Sequence, residues 1–360
     1  MENIQKALLS LVRCGLGKEG EPIIPEDADW GQLFKQAQTQ GLTAVALDGI
    51  NICYEKGRDI DIDLKTKMEW IGAVCQMESV YKQYVQHVKE LSSFYQSHGI
   101  RMMVLKGYGL SLNYPRPNHR PTGDIDIYLF GEQKKADRLV HDELGIEIDK
   151  SHHHHTVFEF QGETVENHYD FLNVHVRPSN KRIEAKLKEL AHTDITSNIN
   201  SSDNLLFPSA EFNAIYLLRH CAAHFASTKM SVRQALDWGL FMEKHHSEMD
   251  WKEYMSYLKE EGMFRFYNLL GLFCVSYLGF DSSIFHGLYS DALFERFVDE
   301  ILSPEFKDKE NGTLLRSLSV KPRRWWHNRW KNRLCYPDTP WSEFAYGLWA
   351  KILKPSHFIQ

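Results

Sequence analysis

The spacing of apolar residues changes twice along this chain, and these changes most limit the folds open to it. Through about residue 99 apolar residues recur every three or four positions, which is typical of helices. Residues 100–171 instead contain short β-rich runs, and the helical spacing returns from about Ser209. We therefore predict an α+β protein with an N-terminal helical region over residues 1–99, an αβ core over 100–205 and a C-terminal helical region over 206–360.

The predicted core consists of five short strands and one helix. The helix is expected over residues 132–143, where apolar side chains have helical spacing. Ahead of the core, Asp63 is placed to cap a long helix that ends at Gly99. The strands are expected over residues 101–105, 124–130, 145–148, 156–161 and 164–171.

Charge and cysteine content restrict the class of protein. Lys and Arg number 42 against 48 Asp and Glu, a formal net charge of −6, so nucleic acid is a possible but unfavoured partner. No stretch is long and apolar enough to be a transmembrane segment, and the N-terminal residues do not resemble a secretory signal. Six scattered cysteines without a CxxC pair favour reduced thiols and a cytoplasmic location.

The strongest candidate for chemistry is the run GDIDIYLF, residues 123–130. Side chains two apart on a strand share a face, so Asp124 and Asp126 bring two carboxylates together while the isoleucines enter the core. Two neighbouring like charges resist joint ionisation unless a cation neutralises them. Oxygen ligands of this kind suit Mg²⁺. A surface strand with two solvated aspartates is the alternative that the tripeptide alone leaves open.

A glycine turn precedes the carboxylates in the run VLKGYGL. An apolar strand enters the turn at Gly107, and a turn that opens a helix presents backbone N–H groups to phosphate. Lys106 and Arg120 add cations on either side, and we count Gly123 with them as a phosphate-binding candidate. Each cation alone is more often a solvated surface residue, but together with paired carboxylates they are typical of a triphosphate and metal cradle.

A third carboxylate is expected on a neighbouring strand, in TVENHYDFL. Glu166, His168 and Asp170 share one face of that strand. Glu166 is preferred, either to complete the metal site or to take a proton from the attacking hydroxyl, and Asp170 is the alternative. His168 can orient a carboxylate or contact phosphate. An exposed strand face with alternating polarity explains the pattern equally well.

These motifs resemble a known family of enzymes. LKGYGL, YPRPNHRPTGDIDIYLF and a strand with VENH are similar to the nucleotidyltransferase superfamily that shares its core with DNA polymerase β, and more narrowly to uncharacterised bacterial nucleotidyltransferases. The resemblance implies a small mixed sheet with helices and two Mg²⁺ ions held by Asp124, Asp126 and Glu166. Members of the narrower group also carry Lys before the glycine and Arg before the carboxylates, which makes Lys106 and Arg120 the expected phosphate contacts.

The activity implied by the resemblance is transfer of a nucleoside monophosphate from a nucleoside triphosphate, for example ATP, to an acceptor hydroxyl, with pyrophosphate leaving. The acceptor can be a small molecule, a protein or RNA. A catalytically silent nucleotide-binding or interaction protein is one alternative, because Tyr108 follows Gly107 where the superfamily has Gly or Ser. A metal-dependent phosphohydrolase, binding transition metals through its histidines and releasing phosphate, is the other.

Three further patterns are interpreted as structural features and not as functional sites. Consecutive residues on a strand alternate faces, so at most two of the four histidines at 152–155 can reach one metal ion, and a solvated loop entering a strand is favoured. The basic and aromatic residues 321–333 favour a helix docked through its tryptophans over nucleic-acid or membrane binding. Arg233 and Asp237, four apart, predict an intrahelical ion pair.

Overall fold

The structure, a computed structural model, describes residues 2–18, 20, 22–58, 60–193, 205–227, 230–303 and 328–339. These residues form two compact units, each built from segments that are distant along the chain. The first unit takes the described parts of Met1–Glu78, Asn113–Pro121 and Leu217–Tyr336, and the second takes those of Ser79–Leu112, Thr122–Tyr216 and Pro337–Gln360.

The first unit is helical. Helices α1 (Asn3–Gly15) and α3 (Thr43–Glu55) pack closely, since a Cβ atom on Gly49 of α3 would lie 2.0 Å from the carbonyl oxygen of Leu11 in α1. Residues 328–335 are also helical, whereas residues 321–327 of the basic and aromatic run lie outside the described residues. The helices are α1 Asn3–Gly15, α2 Trp30–Gln40, α3 Thr43–Glu55, α9 Val232–His245, α10 Trp251–Glu260, α11 Phe264–Phe273 and α12 Phe294–Leu302, together with parts of α4 Leu64–Ser97 and α8 Ala210–Ser227.

The second unit contains a small mixed sheet. Its strands follow the order β1-β2-β4-β3, with β2 and β4 parallel and the two outer pairings antiparallel. Helices α5 Gly107–Ser111, α6 Gln133–Leu144 and α7 Pro178–Thr193 belong to this unit with the remainder of α4 and α8. The strands are β1 Met103–Val104, β2 Ile125–Tyr128, β3 His155–Phe160 and β4 Glu163–His168.

The alternation of polar and apolar side chains in β2 and β4 sets the core of the second unit. Ile125 and Ile127 of β2 and Val165 of β4 are fully buried against α4 and α6, whose inner faces include Val88 and Val140. The polar residues between them therefore lie on the other face of the sheet. Apolar burial drives this packing and leaves the carboxylate-bearing face for chemistry.

Most predicted elements of the core are confirmed, and one is wrong. Asp63 caps α4 by accepting a hydrogen bond of 2.9 Å from the backbone N–H of Thr66. Residues 145–148, predicted as a strand, have no regular structure, and only Asp149 next to them forms an isolated bridge, with Val157. The helix predicted over 132–143 is α6, and Gly145 ends it in the left-handed conformation. The run after this glycine therefore serves as a connection to β3.

The small mixed sheet flanked by helices confirms the predicted α+β class and is the arrangement expected of a polymerase-β-like core. The division into three consecutive regions stays a prediction. None of the helices in the described part of the chain is both long enough and apolar enough to cross a membrane.

Candidate functional site

The parallel pairing of β2 and β4 places the polar residues of the two strands side by side. Asp126 is the register partner of Glu166, and Tyr128 is the partner of His168. Asp126, Glu166 and His168 each offer one ligand atom, and these atoms lie within 4.8 Å of one another. We call these three residues the carboxylate group. Their convergence follows from strand register, which connects residues 40 positions apart along the chain.

Lys106 completes the electrostatics of the carboxylate group. Its Nζ lies 2.7 Å from Asp126 Oδ1, and the two side chains are only 16% and 8% exposed. Burial opposes the charged form of each residue, but their mutual attraction outweighs it, raising the pKa of Lys106 and, together with His168, lowering the pKa of Asp126. Both residues are therefore charged at neutral pH, and Lys106 is a permanent cation beside the carboxylates.

His168 lies between the two carboxylates of the group. Its Nε2 is 3.1 Å from Asp126 Oδ1 and 3.3 Å from Glu166 Oε2, while Nδ1 is 3.2 Å from the backbone oxygen of Asp170. Burial disfavours the imidazolium, but the hydrogen bonds to Asp126 and Glu166 outweigh it and raise the pKa of His168. An imidazole held at one nitrogen by a carbonyl keeps its other nitrogen fixed for a carboxylate or a metal ion.

Asp124 precedes β2 and is exposed, unlike Asp126. It does not belong to the group of ligand atoms that converge within 4.8 Å among the described residues. Partial burial and the negative charges of Glu166 and Asp126 raise its pKa. Asp124 is therefore close enough to the carboxylate group to interact with it electrostatically. A cation would relieve that repulsion.

Gly107 is required by the close approach of Tyr84. Its φ is +40°, and a Cβ atom at this position would lie 2.2 Å from Tyr84 Oη, whose ring is buried in the core. The same hydroxyl donates to the backbone oxygen of Asp124 at 3.3 Å, so Tyr84 holds both the glycine turn and the start of β2. Helix α5 has only five residues, which limits the phosphate binding expected of this turn. Gly123, by contrast, is exposed and has open space around it.

Gly107→Ala is expected to destabilise the protein by about 1–3 kcal/mol, because it combines a left-handed backbone conformation with a clash against a buried ring. Gly123→Ala is the matched control, since nothing lies within 4 Å of its added Cβ and its φ is not positive. The free energies of unfolding of both variants, measured with urea, check this expectation. Equal stability of the two variants would contradict the role assigned to Tyr84.

Arg120 belongs to the first compact unit, where it forms a buried ion pair. Its Nε and Nη2 donate to the two carboxylate oxygens of Asp237 at 2.9 and 3.0 Å. Tyr114 donates to the same carboxylate at 2.7 Å. Among the described residues, Asp237 thus pairs with Arg120, so the predicted ion pair between Asp237 and Arg233 is wrong. Phosphate contact by Arg120 stays a prediction.

Asp170, the alternative third carboxylate, has a different partner. It is bound by Lys188 of α7, while Glu166 lies beside Asp126. Glu184 of α7, which the sequence did not single out, accepts hydrogen bonds from the backbone N–H groups of Phe171 and Leu172 at 3.1 and 2.9 Å. Burial raises the pKa of Glu184 to about 7. These contacts fix the chain just beyond β4, and no local motif would have revealed them.

The histidine run is a loop that enters a strand, as predicted, but it is not fully solvated. His155 is the first residue of β3 and is only 5% exposed, and the Nδ1 atom of His154 is buried. Both lie near His168, with ring centroids 5.1 Å (His155) and 5.6 Å (His154) from it. The antiparallel pairing of β3 with β4 produces this arrangement, because it makes His155 the register partner of His168.

The residues of the carboxylate group fit a divalent cation. Two carboxylates and an imidazole converge from adjacent strands, and partial burial together with the charges of Glu166 and Asp126 raises the pKa of Asp124 beside them. Carboxylate oxygens are the protein ligands that Mg²⁺ prefers. The arrangement can therefore hold a cation beside a lysine, which is suited to binding a phosphorylated substrate.

A helix-flanked mixed sheet that bears carboxylates on neighbouring parallel strands can hold metal ions for chemistry on a phosphorylated substrate. The family model described as "Uncharacterised nucleotidyltransferase" matches residues 26–279, more than half of the chain, so the protein belongs to this nucleotidyltransferase family. The matched range contains every residue of the predicted site. Neither the curated proteins nor the solved structures gave a significant match.

Proposed function

We propose that this protein is a Mg²⁺-dependent nucleotidyltransferase that moves a nucleoside monophosphate from a nucleoside triphosphate to an acceptor hydroxyl and releases pyrophosphate. The supporting observation is the register that places Asp126 beside Glu166, with Lys106 Nζ at 2.7 Å from Asp126, in a chain of this family. The acceptor is a small molecule, a protein or an RNA.

Asp124, Asp126 and Glu166 are the residues that would hold the metal. A pair of divalent ions held by these residues would activate the attacking oxygen and neutralise charge on the triphosphate. Asp124 is exposed and Asp126 is buried, so the two aspartates differ in what they contribute besides ligation. Asp126 also fixes Lys106 and His168, whereas Asp124 is available to a substrate that enters from solvent.

The chain's own contribution is positioning and charge. Lys106 stays protonated because Asp126 holds it, and it offers donors to the oxygens of the triphosphate. His168 fixes the orientation of Glu166 by its contact of 3.3 Å. Glu166, with 25% of its side chain exposed, accepts the proton of the attacking hydroxyl or binds the metal. Positioning of this kind supplies most of the catalysis in phosphoryl transfer.

A cytoplasmic location is part of the proposal. The six cysteines lie within the described residues and form no disulfide there, and five of them are buried. Burial raises the pKa of Cys221 and Cys274, which keeps these thiols protonated and unreactive. Free, buried thiols are typical of proteins that work in a reducing compartment.

Nucleotide binding tests the proposal directly. A ligand at 100 times its Kd stabilises the folded state by about 2.7 kcal/mol, so a thermal-shift panel with ATP, GTP, CTP and UTP should show a rise in Tm for at least one nucleotide that depends on Mg²⁺. Asp124→Ala should lose the shift while keeping the Tm of the free protein, because Asp124 is exposed. Asp142→Ala, on the exposed face of α6, is the matched control and should keep the shift.

The product identifies the reaction class. An acceptor screen with the nucleotide that binds should release pyrophosphate, and release of inorganic phosphate instead would favour a phosphohydrolase. Absence of any nucleotide-dependent shift in the parent protein, or an equal shift in Asp124→Ala, would contradict the proposed metal and triphosphate site.

A further inference from the structure

The described residues contain a second group of potential metal ligands next to the carboxylate group. His154, His155 and His168 each offer one ring nitrogen, and these atoms lie within 4.8 Å of one another. We call them the histidine group. The two groups share His168, but His154 and His155 belong only to the histidine group, and Asp126 and Glu166 only to the carboxylate group.

Three ring nitrogens of this group lack hydrogen-bond partners in the described part of the chain, whereas both nitrogens of His168 have one. Both ring nitrogens of His155 and Nδ1 of His154 are buried without one. Glu166 Oε1 lies 3.7 Å from His155 Nε2, beyond hydrogen-bonding distance. Burying a polar atom without a partner is unfavourable, so several in one cluster indicate a ligand that satisfies them.

The backbone holds the histidine group in place. The N–H groups of Tyr169 and Asp170 both donate to the carbonyl oxygen of His154, at 3.0 and 3.1 Å. These bonds tie the residue before β3 to the end of β4, directly beyond His168. His155 and His168 are also register partners. Preorganised ligands on paired strands are what a tight metal site requires.

The geometry points to a transition-metal site formed by His154, His155 and His168, distinct from the Mg²⁺ site of the proposed function. Three imidazole nitrogens suit Zn²⁺ and similar divalent ions, whereas Mg²⁺ prefers oxygen ligands. Three histidines with an open fourth position are an established zinc arrangement. The nearby carboxylates of Asp126 and Glu166 offset the positive charge of Lys106 and of a bound ion.

The proposal does not depend on nucleotidyl transfer, since it concerns binding of a metal ion to the free protein.

Metal titration of the chelator-treated full-length protein tests the site. The parent should bind Zn²⁺ in calorimetry, and Co²⁺ should give the visible absorption of a nitrogen-ligated tetrahedral ion. Losing a residue that only hydrogen-bonds to a metal ligand typically weakens metal binding by about 10–100-fold. His154→Ala removes a ligand itself and should therefore weaken Zn²⁺ binding by more than this. His155→Ala should do the same. Millimolar Mg²⁺ should not displace the bound Zn²⁺.

His153→Ala is the matched control. His153 neighbours the group but its ring packs on His175, with centroids 5.5 Å apart, so this variant should bind Zn²⁺ as the parent does. Circular dichroism of each variant without metal shows whether it folds. If the more buried His155 variant fails to fold, the His154 variant alone decides the question.

Three outcomes would overturn the proposal. The parent could fail to bind Zn²⁺ or Co²⁺; His154→Ala could bind as tightly as His153→Ala; or Glu166→Gln could abolish binding while folded His154→Ala retains it, which would place the ion on the carboxylate group. Loss of Zn²⁺ binding in His154→Ala with Mg²⁺-dependent nucleotide shifts intact would support the histidine group and leave the proposed function standing. Failure of the nucleotide shifts alone would affect only the proposed function.

Discussion

Asp126→Asn is expected to lose turnover and to destabilise the fold in the same variant. The parent carboxylate is buried and lies 2.7 Å from Lys106 Nζ and 3.1 Å from His168 Nε2. Removing its charge leaves Lys106, which is only 16% exposed, without its nearest counter-charge, and breaking such a pair costs about 3–5 kcal/mol. Loss of one metal-binding carboxylate is expected to raise the barrier by about 4 kcal/mol, or roughly 10³-fold in rate. Urea unfolding and pyrophosphate release measure the two effects.

Asp124→Asn is the matched control, because the same chemical change is made at an exposed carboxylate. Its turnover should fall comparably while its free energy of unfolding stays within about 0.5 kcal/mol of the parent. Combining Lys106→Met with Asp126→Asn should recover most of the lost stability, since no buried charge is then left alone, but should not recover turnover. Parent-like stability of Asp126→Asn would show that Lys106 does not depend on this partner.

The stability difference between the parent and Asp126→Asn should vary with pH in a defined direction. Asp126 has a lowered pKa, so its contribution is present above the ordinary aspartate pKa and is lost as the pH falls through the lowered value. His168 has a raised pKa, so the contribution of its charged form is present below its ordinary pKa and is lost as the pH rises through the raised value. The difference should therefore be largest in mildly acidic solution.

Much of the fold could be predicted from local patterns. Asp63 and Gly99 define the ends of α4 because capping is decided by neighbouring residues, and alternation identified β2 and β4 because one of their faces is buried. Residues 145–148 have the composition of a strand but no strand partner, and composition alone cannot supply one. β propensity depends on such context.

The part of the candidate site that lies on β2 and β4 could be predicted from the sequence, because strand register brings its residues together. The acid-x-His pattern of β4 indicated Glu166 and His168, and the parallel pairing brings them to Asp126. The burial of His155 and of the Nδ1 atom of His154 was not predictable from the run itself, because it depends on the hydrogen bonds between the His154 carbonyl and the chain beyond β4.

Arg120 shows that closeness to a motif in the sequence does not determine which residue a side chain contacts. It lies four residues before Asp124 in the sequence, and a phosphate contact is the natural expectation. The structure pairs it with Asp237, 117 residues away, and buries both. A guanidinium can satisfy a buried carboxylate with two parallel hydrogen bonds, so such a pairing competes strongly with any other use of the side chain. Local sequence carries no information on that competition.

Glu166→Gln is expected to reduce turnover by about 10²–10⁴-fold, the usual contribution of a general base, with little loss of stability. The amide keeps the shape of the side chain, and because 25% of the Glu166 side chain is exposed, water can solvate it. The stability of the fold should therefore depend less on the charge of Glu166 than on the charge of the buried Asp126. Asp170→Asn is the matched control: its carboxylate is held by Lys188, and its turnover should stay within about tenfold of the parent, a cost of about 1.4 kcal/mol at most.

The same pair of variants decides which carboxylate is the third one, and how it acts. If Asp170→Asn loses turnover while Glu166→Gln keeps it, the assignment reverses. If Glu166 binds metal, raising the Mg²⁺ concentration should restore part of the turnover of Glu166→Gln, because a higher concentration fills a weakened metal site. If Glu166 instead takes the proton of the acceptor hydroxyl, extra Mg²⁺ should have no effect. The acidic limb of the pH profile of kcat should then disappear in the variant, because the group that must lose its proton is gone.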